Sequence, residues 1–86
     1  MSHRIEWRPA AVKVVESLPR DVARRIYRRV EDLADDPRPN GSEKLAGGED
    51  EYRVRVGAYR VIYSVHDAVL LVLVLRIGHR REVYRR

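Results

Sequence analysis

Residues 52–63 read YRVRVGAYRVIY, and this segment organises the rest of the chain. Valine and tyrosine alternate with arginine on both sides of the glycine-alanine pair at residues 57–58, a pattern typical of two strands joined by a two-residue hairpin turn. Such a turn places Arg55 directly opposite Arg60. Because side chains alternate between the two faces of a strand, Arg53, Arg55 and Arg60 are predicted to share one face. The intervening valine and tyrosine side chains then pack on helices at the other face.

The segment before the hairpin predicts one strand and two helices. Ile5 and Trp7 alternate with charged residues, as in a short strand with one buried face. Trp7 is interpreted as a core residue, with base stacking as the alternative. Pro9 suits a first helical position, and a second helix is predicted over residues 21–35. Its outward face is interpreted as mainly solvated, with ribosomal RNA contact as a secondary role, and carries Arg24, Arg25, Arg28 and Arg29.

The remaining segments complete an α+β fold. Residues 36–43 contain two prolines and a glycine and are predicted to form a loop. Residues 69–75 read VLLVLVL, which is typical of a central strand covered on both faces. Residues 78–86 are predicted to form a basic tail. We therefore predict one domain over residues 1–86, in which two helices pack on one face of a mostly antiparallel four-stranded sheet in the order β-α-α-β-β-β.

Charge is distributed unevenly along the 86 residues. The net charge is +5, and sixteen of the eighteen basic residues are arginine. Residues 51–86 hold eight basic and three acidic residues, so the whole excess lies there. Arginine binds phosphate through a rigid fork of donors, which favours a polyanionic partner. An arginine-rich proteome is the alternative explanation for the total, and solvation of each arginine is the alternative for the hairpin face.

Several function classes are disfavoured by what the sequence lacks. It has no cysteine, hence no disulfide or thiolate chemistry, and no run of about 18 apolar residues that could span a membrane. A soluble cytoplasmic protein is therefore expected. The three histidines, His3, His66 and His79, show no metal-ligand spacing, and no phosphate-binding glycine loop or nucleophile motif is present. No metal and no cofactor are predicted.

One reaction remains compatible with these residues, the metal-free cleavage of RNA by attack of a 2′-hydroxyl on the adjacent phosphate. This reaction needs a proton acceptor, cations around the developing phosphorane charge, and a donor for the leaving oxygen. Arginine can supply the cations. It is a poor proton acceptor, because the guanidinium stays protonated in proteins.

Four segments resemble the signature of the RelE/ParE toxin superfamily. They are residues 44–47 (KLAG), 52–56 (YRVRV), 59–63 (YRVIY) and 77–84 (IGHRREVY). The resemblance implies a single RelE-like toxin domain that acts as a ribosome-dependent, metal-independent mRNA endonuclease. It also implies a cognate antitoxin as inhibitor and partner in a hetero-oligomer. In the best-known RelE toxins the paired positions of the first hairpin strand are lysines, whereas both are arginine here, and the general base stays unassigned.

The resemblance places the site on particular residues of this chain. Arg53 and Arg55 take the paired basic positions, and Arg60 takes the arginine position of the second hairpin strand. Arg55 and Arg60 would hold the scissile phosphate and stabilise its developing charge. Arg80 would protonate the leaving 5′ oxygen or stabilise it electrostatically. Tyr84 would position the 2′-hydroxyl or stack on a base, and could act as the base if arginines lower its pKa.

Alternatives remain open at the C-terminal end. The alternative for Tyr84 is a tail residue that covers the edge of the core, and His79 is either an alternative proton carrier or a surface residue. His3 and His66 are interpreted as structural or solvated. Two other functions compete, a ParE-like toxin that poisons DNA gyrase and a non-catalytic RNA-binding module. Further RNA contacts are predicted at Arg53, Arg76, His79 and Arg81.

Overall fold

A computed structural model describes residues 2–79 of the chain. The elements in chain order are β1 (Arg4–Trp7), α1 (Pro9–Glu16), α2 (Arg20–Asp32), β2 (Glu43–Lys44), β3 (Glu51–Val56), β4 (Tyr59–His66), a single 3₁₀ turn (Asp67–Val69) and β5 (Leu71–His79). Both predicted helices are present. The second is shorter than predicted at its C-terminal end, because Leu33 already closes the last turn through its N–H bond to Val30 O.

Within residues 2–79 the sheet has five strands in the order β1-β5-β4-β3-β2, so the prediction of four strands is wrong. The additional strand is β2, a two-residue edge strand that pairs antiparallel with β3 through Glu43↔Arg53 and Lys44↔Tyr52. Its two side chains are charged and exposed, which gives no alternating apolar signal in the sequence. The other described pairings are antiparallel except β1 with β5, which is parallel. The prediction of a mostly antiparallel sheet is therefore confirmed.

The core lies between the helices and one face of the sheet. α1 contributes Ala11 and Val15, and α2 contributes Ile26 and Val30, all fully buried. The valine and tyrosine residues of the hairpin pack against them as predicted, with Tyr63 completely buried. Trp7 is half-buried against this core, and its ring centroid lies 5.2 Å from that of Tyr27. Burial of this face stabilises the fold and leaves the other face of the sheet for the arginines.

The last described strand, β5, differs from its prediction in two ways. It begins two residues later, because Val69 belongs to the 3₁₀ turn and Leu70 adopts a left-handed conformation with φ +51°. It also continues to His79, so residues 78 and 79 are strand and not tail. Burial alternates along it, with Val72 and Val74 fully buried and the intervening leucines half-buried. The strand is therefore completely covered only on the helix side.

A β-bulge in β5 exchanges the faces of its last residues. Tyr63 pairs with Val74, but Ile62 pairs with Arg76, so Leu75 is an extra residue in the ladder. Without the bulge, the period of two would continue from Val74 and place Arg76 on the helix side. With it, Arg76 lies on the arginine side of the sheet.

Candidate functional site

The β3–β4 hairpin has the predicted register. Gly57 has a φ of +59°, and no positive φ is found at Ala58, which matches the glycine-first pattern of a type II′ turn. Arg55 pairs with Arg60, and Arg53 pairs with Ile62. Directly opposite residues have Cβ atoms roughly 4.5–5.5 Å apart. The hairpin therefore brings two guanidinium side chains side by side on the face away from the helix-packed core.

These arginines line a single cleft of about 280 Å³. Its walls are formed by residues from the hairpin, from the edge strand β2 and from helix α2. The lining residues are Arg29, Gly41, Glu43, Arg53, Arg55 and Arg60. The described residues contribute four positive charges and one negative charge to this lining, so the cleft is suited to an anion. The three hairpin arginines that the sequence predicted to share a face are all present in it.

The arginines of the cleft differ in their environment. Arg60 is only 4 % exposed, because β4 is an interior strand with Arg55 on one side and Gly78 on the other. Arg55 is exposed at the end of the hairpin. Arg53 is half-buried and forms an ion pair with Glu43, its direct neighbour on β2. A buried guanidinium acts in a lower dielectric than an exposed one, so at equal distance an anion is attracted more strongly by a buried arginine than by an exposed one such as Arg55.

Helix α2 supplies a fourth arginine that the sequence analysis did not assign to the site. Arg29 lines the cleft and is half-buried, whereas Arg24, Arg25 and Arg28 are exposed as predicted. The helical pattern groups these four residues by their polarity. The pattern does not indicate that one of the four, Arg29, lines the cleft.

Arg76 lies on the arginine side of the sheet but outside the cleft. It pairs with Ile62 and is exposed. It lines a second, separate depression together with Arg8, Glu51 and Leu75. A role for Arg76 in RNA binding stays a prediction that concerns the periphery of the cleft.

His79 lies on the opposite side of the sheet from Arg60. It pairs with Tyr59, a residue packed against the core, and the two rings meet edge to face with centroids 5.7 Å apart. Neighbouring residues on a strand point to opposite faces, so Gly78 faces the cleft and His79 does not. This placement disfavours His79 as a proton carrier at the phosphate. The remaining predicted site residues, Arg80, Arg81 and Tyr84, lie outside the described residues.

A second polar cluster lies at the other end of β3 and β4. Asp67 accepts hydrogen bonds from His3 Nε2 at 2.9 Å and from Arg38 Nη2 at 2.8 Å, and Arg38 Nε donates to the Tyr52 hydroxyl at 2.9 Å. The Arg38 and His3 bonds hold the pKa of Asp67 below its usual value. We call His3, Arg38, Tyr52 and Asp67 the paired cluster. As predicted, His3 has a structural role.

Tyr63 connects the core to the loop that follows α2. Its hydroxyl donates to the carbonyl oxygen of Pro37 at 2.8 Å, and its ring stacks on that of Tyr52. Burial raises the pKa of Tyr63 to about 12, against opposing effects of Ser42 and of the positive charge of Arg29. The loop that leads into the cleft is therefore fixed to the core by a neutral phenol.

Two properties of the described residues concern membranes and metal ions. Neither helix within residues 2–79 is long and apolar enough to cross a membrane. Over the same part of the chain, no three His, Asp or Glu side chains come together in a way that could hold a metal ion.

Comparison with known proteins places this chain and its fold in a family. Residues 5–84 match the family described as the ParE toxin of type II toxin-antitoxin systems, parDE. The chain is 33 % identical to a protein in the crystal structure of the archaeal RelE-RelB complex from Pyrococcus horikoshii, with a TM-score of 0.84 and complete coverage of both chains. It is 26 % identical to a mutant of the Escherichia coli toxin RelE in the free state, with a TM-score of 0.81 over 98 % of this chain and 92 % of that one. A candidate toxin RelE1 of Methanocaldococcus jannaschii is 26 % identical over 99 % of this chain and 98 % of its own length.

The chain belongs to the RelE/ParE superfamily of type II toxins. Its fold is RelE-like, with two helices on a five-stranded sheet.

Proposed function

We propose that this toxin cleaves mRNA on the ribosome, without a metal ion, by attack of a 2′-hydroxyl on the adjacent phosphate. The observation that carries the proposal is the cleft lined by Arg53, Arg55 and Arg60, with Arg55 directly opposite Arg60. Two like charges at opposed positions destabilise a hairpin, and a bound phosphate would offset that cost. RelE toxins among the similar structures support an RNA substrate over other polyanions.

The cleft residues divide the work between binding and charge stabilisation. Arg55 and Arg60 hold the two non-bridging oxygens of the scissile phosphate, and the buried Arg60 stabilises the charge that develops on them. Arg53 binds the RNA backbone and is oriented by Glu43. The 2′-oxygen forms a bond to phosphorus while the bond to the 5′ oxygen breaks, which leaves a 2′,3′-cyclic phosphate and a 5′-hydroxyl.

Proton transfer is assigned by resemblance to the C-terminal residues. Tyr84 positions the 2′-hydroxyl or takes up its proton, and Arg80 donates to the 5′ oxygen or stabilises its charge. Arg76, Arg81 and His79 are proposed as peripheral RNA contacts.

The partners follow from the family and from the proposed substrate. Similar structures are complexes of RelE with RelB, which supports a hetero-oligomer of this chain with a cognate antitoxin in the cytoplasm. Since the cleft is positively charged, we expect the antitoxin to present acidic residues to it or to its surroundings.

The experiment is cleavage of a translated mRNA by the purified toxin on programmed ribosomes, with the breaks mapped by primer extension. Cleavage with a cyclic phosphate end is expected, and a 2′-deoxy nucleotide at the break site should abolish it. The variant Arg60→Ala combined with Tyr84→Phe should be inactive, whereas Arg20→Ala, an exposed arginine away from the cleft, should retain activity. Undiminished cleavage by the double variant would refute the site assignment.

A second candidate is a ParE-like inhibitor of DNA gyrase, which the matched family description favours. A toxin that only binds gyrase has no need of arginines at all the RelE-like positions, so we rank this function second. Loss of gyrase supercoiling without any mRNA cleavage would establish it. A non-catalytic RNA-binding module would instead bind RNA in a salt-dependent way and leave every strand intact.

A further inference from the structure

Arg29 differs from its neighbours on α2 in burial and in surroundings. Arg24, Arg25 and Arg28 are exposed, whereas Arg29 is half-buried and lines the cleft together with the hairpin arginines. An arginine on the solvated face of a surface helix normally extends into water. Solvation alone therefore does not account for the position of Arg29.

The loop after α2 brings Gly41 close to the Arg29 guanidinium. Gly41 has a φ of +95°, and a Cβ built on it would lie 3.9 Å from Arg29 Nη2. β2 begins two residues later, at Glu43, and its last pairing toward the hairpin turn is with Arg53. The edge of β3 next to Arg55 therefore has no strand partner within residues 2–79. Arg29 and Arg55 line the same cleft, together with Gly41 and Glu43.

Two of the arginines that line the cleft have no carboxylate partner among the described residues. Among the described residues, Glu43 is the one acidic residue that lines the cleft, and it pairs with Arg53. Within residues 2–79, neither Arg29 nor Arg55 forms an ion pair. Arginines on two walls of one cavity repel each other, and an anion with more than one negative group would neutralise both walls. The cleft of about 280 Å³ holds the volume of roughly nine water molecules, which is more than one phosphate group occupies.

We propose that Arg29 binds the RNA phosphate next to the scissile one, so that the cleft holds two successive phosphates. This inference rests on the proposed function. Arg55 and Arg60 hold the reacting phosphate from the sheet, and Arg29 holds its neighbour from the helix. Because the neighbouring phosphate does not change charge during the reaction, Arg29 contributes equally to the ground state and the transition state. Its loss raises KM and leaves kcat unchanged.

The first test combines a change in the protein with a change in the mRNA, and measures KM and kcat for cleavage on programmed ribosomes. Arg29→Ala should raise KM about ten-fold, as expected for one charge-assisted hydrogen bond, with kcat unchanged. Arg20→Ala, an exposed arginine at the start of the same helix, is the matched control and should leave both constants unchanged. Thermal unfolding of each variant shows whether it folds as the wild type does.

Modified mRNAs then identify the phosphate that Arg29 contacts. A neutral methylphosphonate is placed in turn at each phosphate flanking the break. At one flanking position, the methylphosphonate should raise the KM of the wild-type toxin by the same factor of about ten. It should not raise the KM of Arg29→Ala any further. The proposal would be overturned if, at both flanking positions, the methylphosphonate and Arg29→Ala raised KM by independent factors that multiply. An effect of Arg29→Ala on kcat alone would also overturn it.

A second test does not depend on cleavage. Pyrophosphate, which carries two adjacent phosphate groups, is titrated into the toxin while arginine side-chain Nε–Hε signals are followed by NMR. The signals of Arg29, Arg55 and Arg60 should shift together with one binding constant, and that of Arg28 should not shift. If Arg29 fails to shift while Arg55 and Arg60 do, the second phosphate site is wrong and the proposed nuclease is unaffected. If Arg29 responds but the wild type cleaves no mRNA, the two-phosphate site stands and the nuclease proposal fails.

Discussion

The arginine cleft and the paired cluster use the same residue type in opposite ways. In the paired cluster, Arg38 donates to Asp67 and to Tyr52, and His3 completes the set, so each charge has a protein partner. At the other end of the hairpin, Arg55 faces Arg60, and within residues 2–79 neither Arg55 nor Arg29 has a carboxylate partner. Charges that stabilise a fold are matched within it. Charges that serve a ligand are left for the ligand to neutralise, which costs stability in the unliganded protein.

The largest effect expected from this contrast is on activity. Arg55→Ala should lower the single-turnover rate of mRNA cleavage by about 10²–10³-fold, the usual loss for one preorganised transition-state donor. Asp67→Asn in the paired cluster should retain the wild-type rate. Cleavage rates measured for both variants on the same programmed ribosomes test this. An equal loss in the two variants would show that the clusters do not differ in function.

Tyr63 gives the next largest effect, on stability. Tyr63→Phe removes the hydrogen bond to Pro37 O and should lower the free energy of unfolding by about 1 kcal/mol, measured by urea denaturation. Its pKa is raised from 10.0 to about 12 in the folded state, so folding favours the neutral phenol. The contribution of this pKa difference to the free energy of unfolding is fully present below pH 10 and is lost as the pH rises toward 12. The ultraviolet absorbance of tyrosinate should show one late-titrating group in the wild type that is absent from the variant.

A smaller effect of opposite sign is expected in the cleft. Arg55→Gln removes one of two like charges at opposed positions and should raise the free energy of unfolding by a few tenths of a kcal/mol at low salt. The gain should disappear in concentrated salt, which screens the repulsion. The control is Arg24→Gln on the exposed face of α2. Destabilisation by Arg55→Gln at low salt would mean that Arg55 supports the fold and is not held there for a ligand.

The smallest effect expected is the loss, on acidification, of the stability that Asp67 of the paired cluster gives to the protein. The pKa of Asp67 is lowered in the folded protein, first by Arg38 and then by His3. A lowered pKa contributes stability that is present above the unfolded-state value of about 4 and is lost as the pH falls below it. Asp67→Asn should therefore be less stable than wild type at neutral pH, and the difference should shrink below pH 4. Asp36→Asn, an exposed carboxylate, serves as the control in the same denaturation series.

The sequence predicted the hairpin correctly because its determinants are local. Gly57 allows the tight turn, and the alternation on either side places Arg53, Arg55 and Arg60 on one face. The extra strand β2 was missed because two exposed charged residues form it only by pairing with β3. The face of the sheet on which His79 lies could not be predicted either. It depends on a bulge at Leu75, which the periodicity of the apolar run does not indicate.

The alternation of side chains along a strand was sufficient to group the hairpin arginines, since period-two geometry is a property of the backbone itself. Family membership was likewise visible in short segments of sequence. The composition of the cleft was decided only by tertiary structure. Arg29 and Arg60 are separated by 30 residues, and they line one space because α2, the turn at Gly41 and the end of β2 pack together at the edge of the sheet. Contacts between elements distant in the chain depend on packing, which local patterns do not encode.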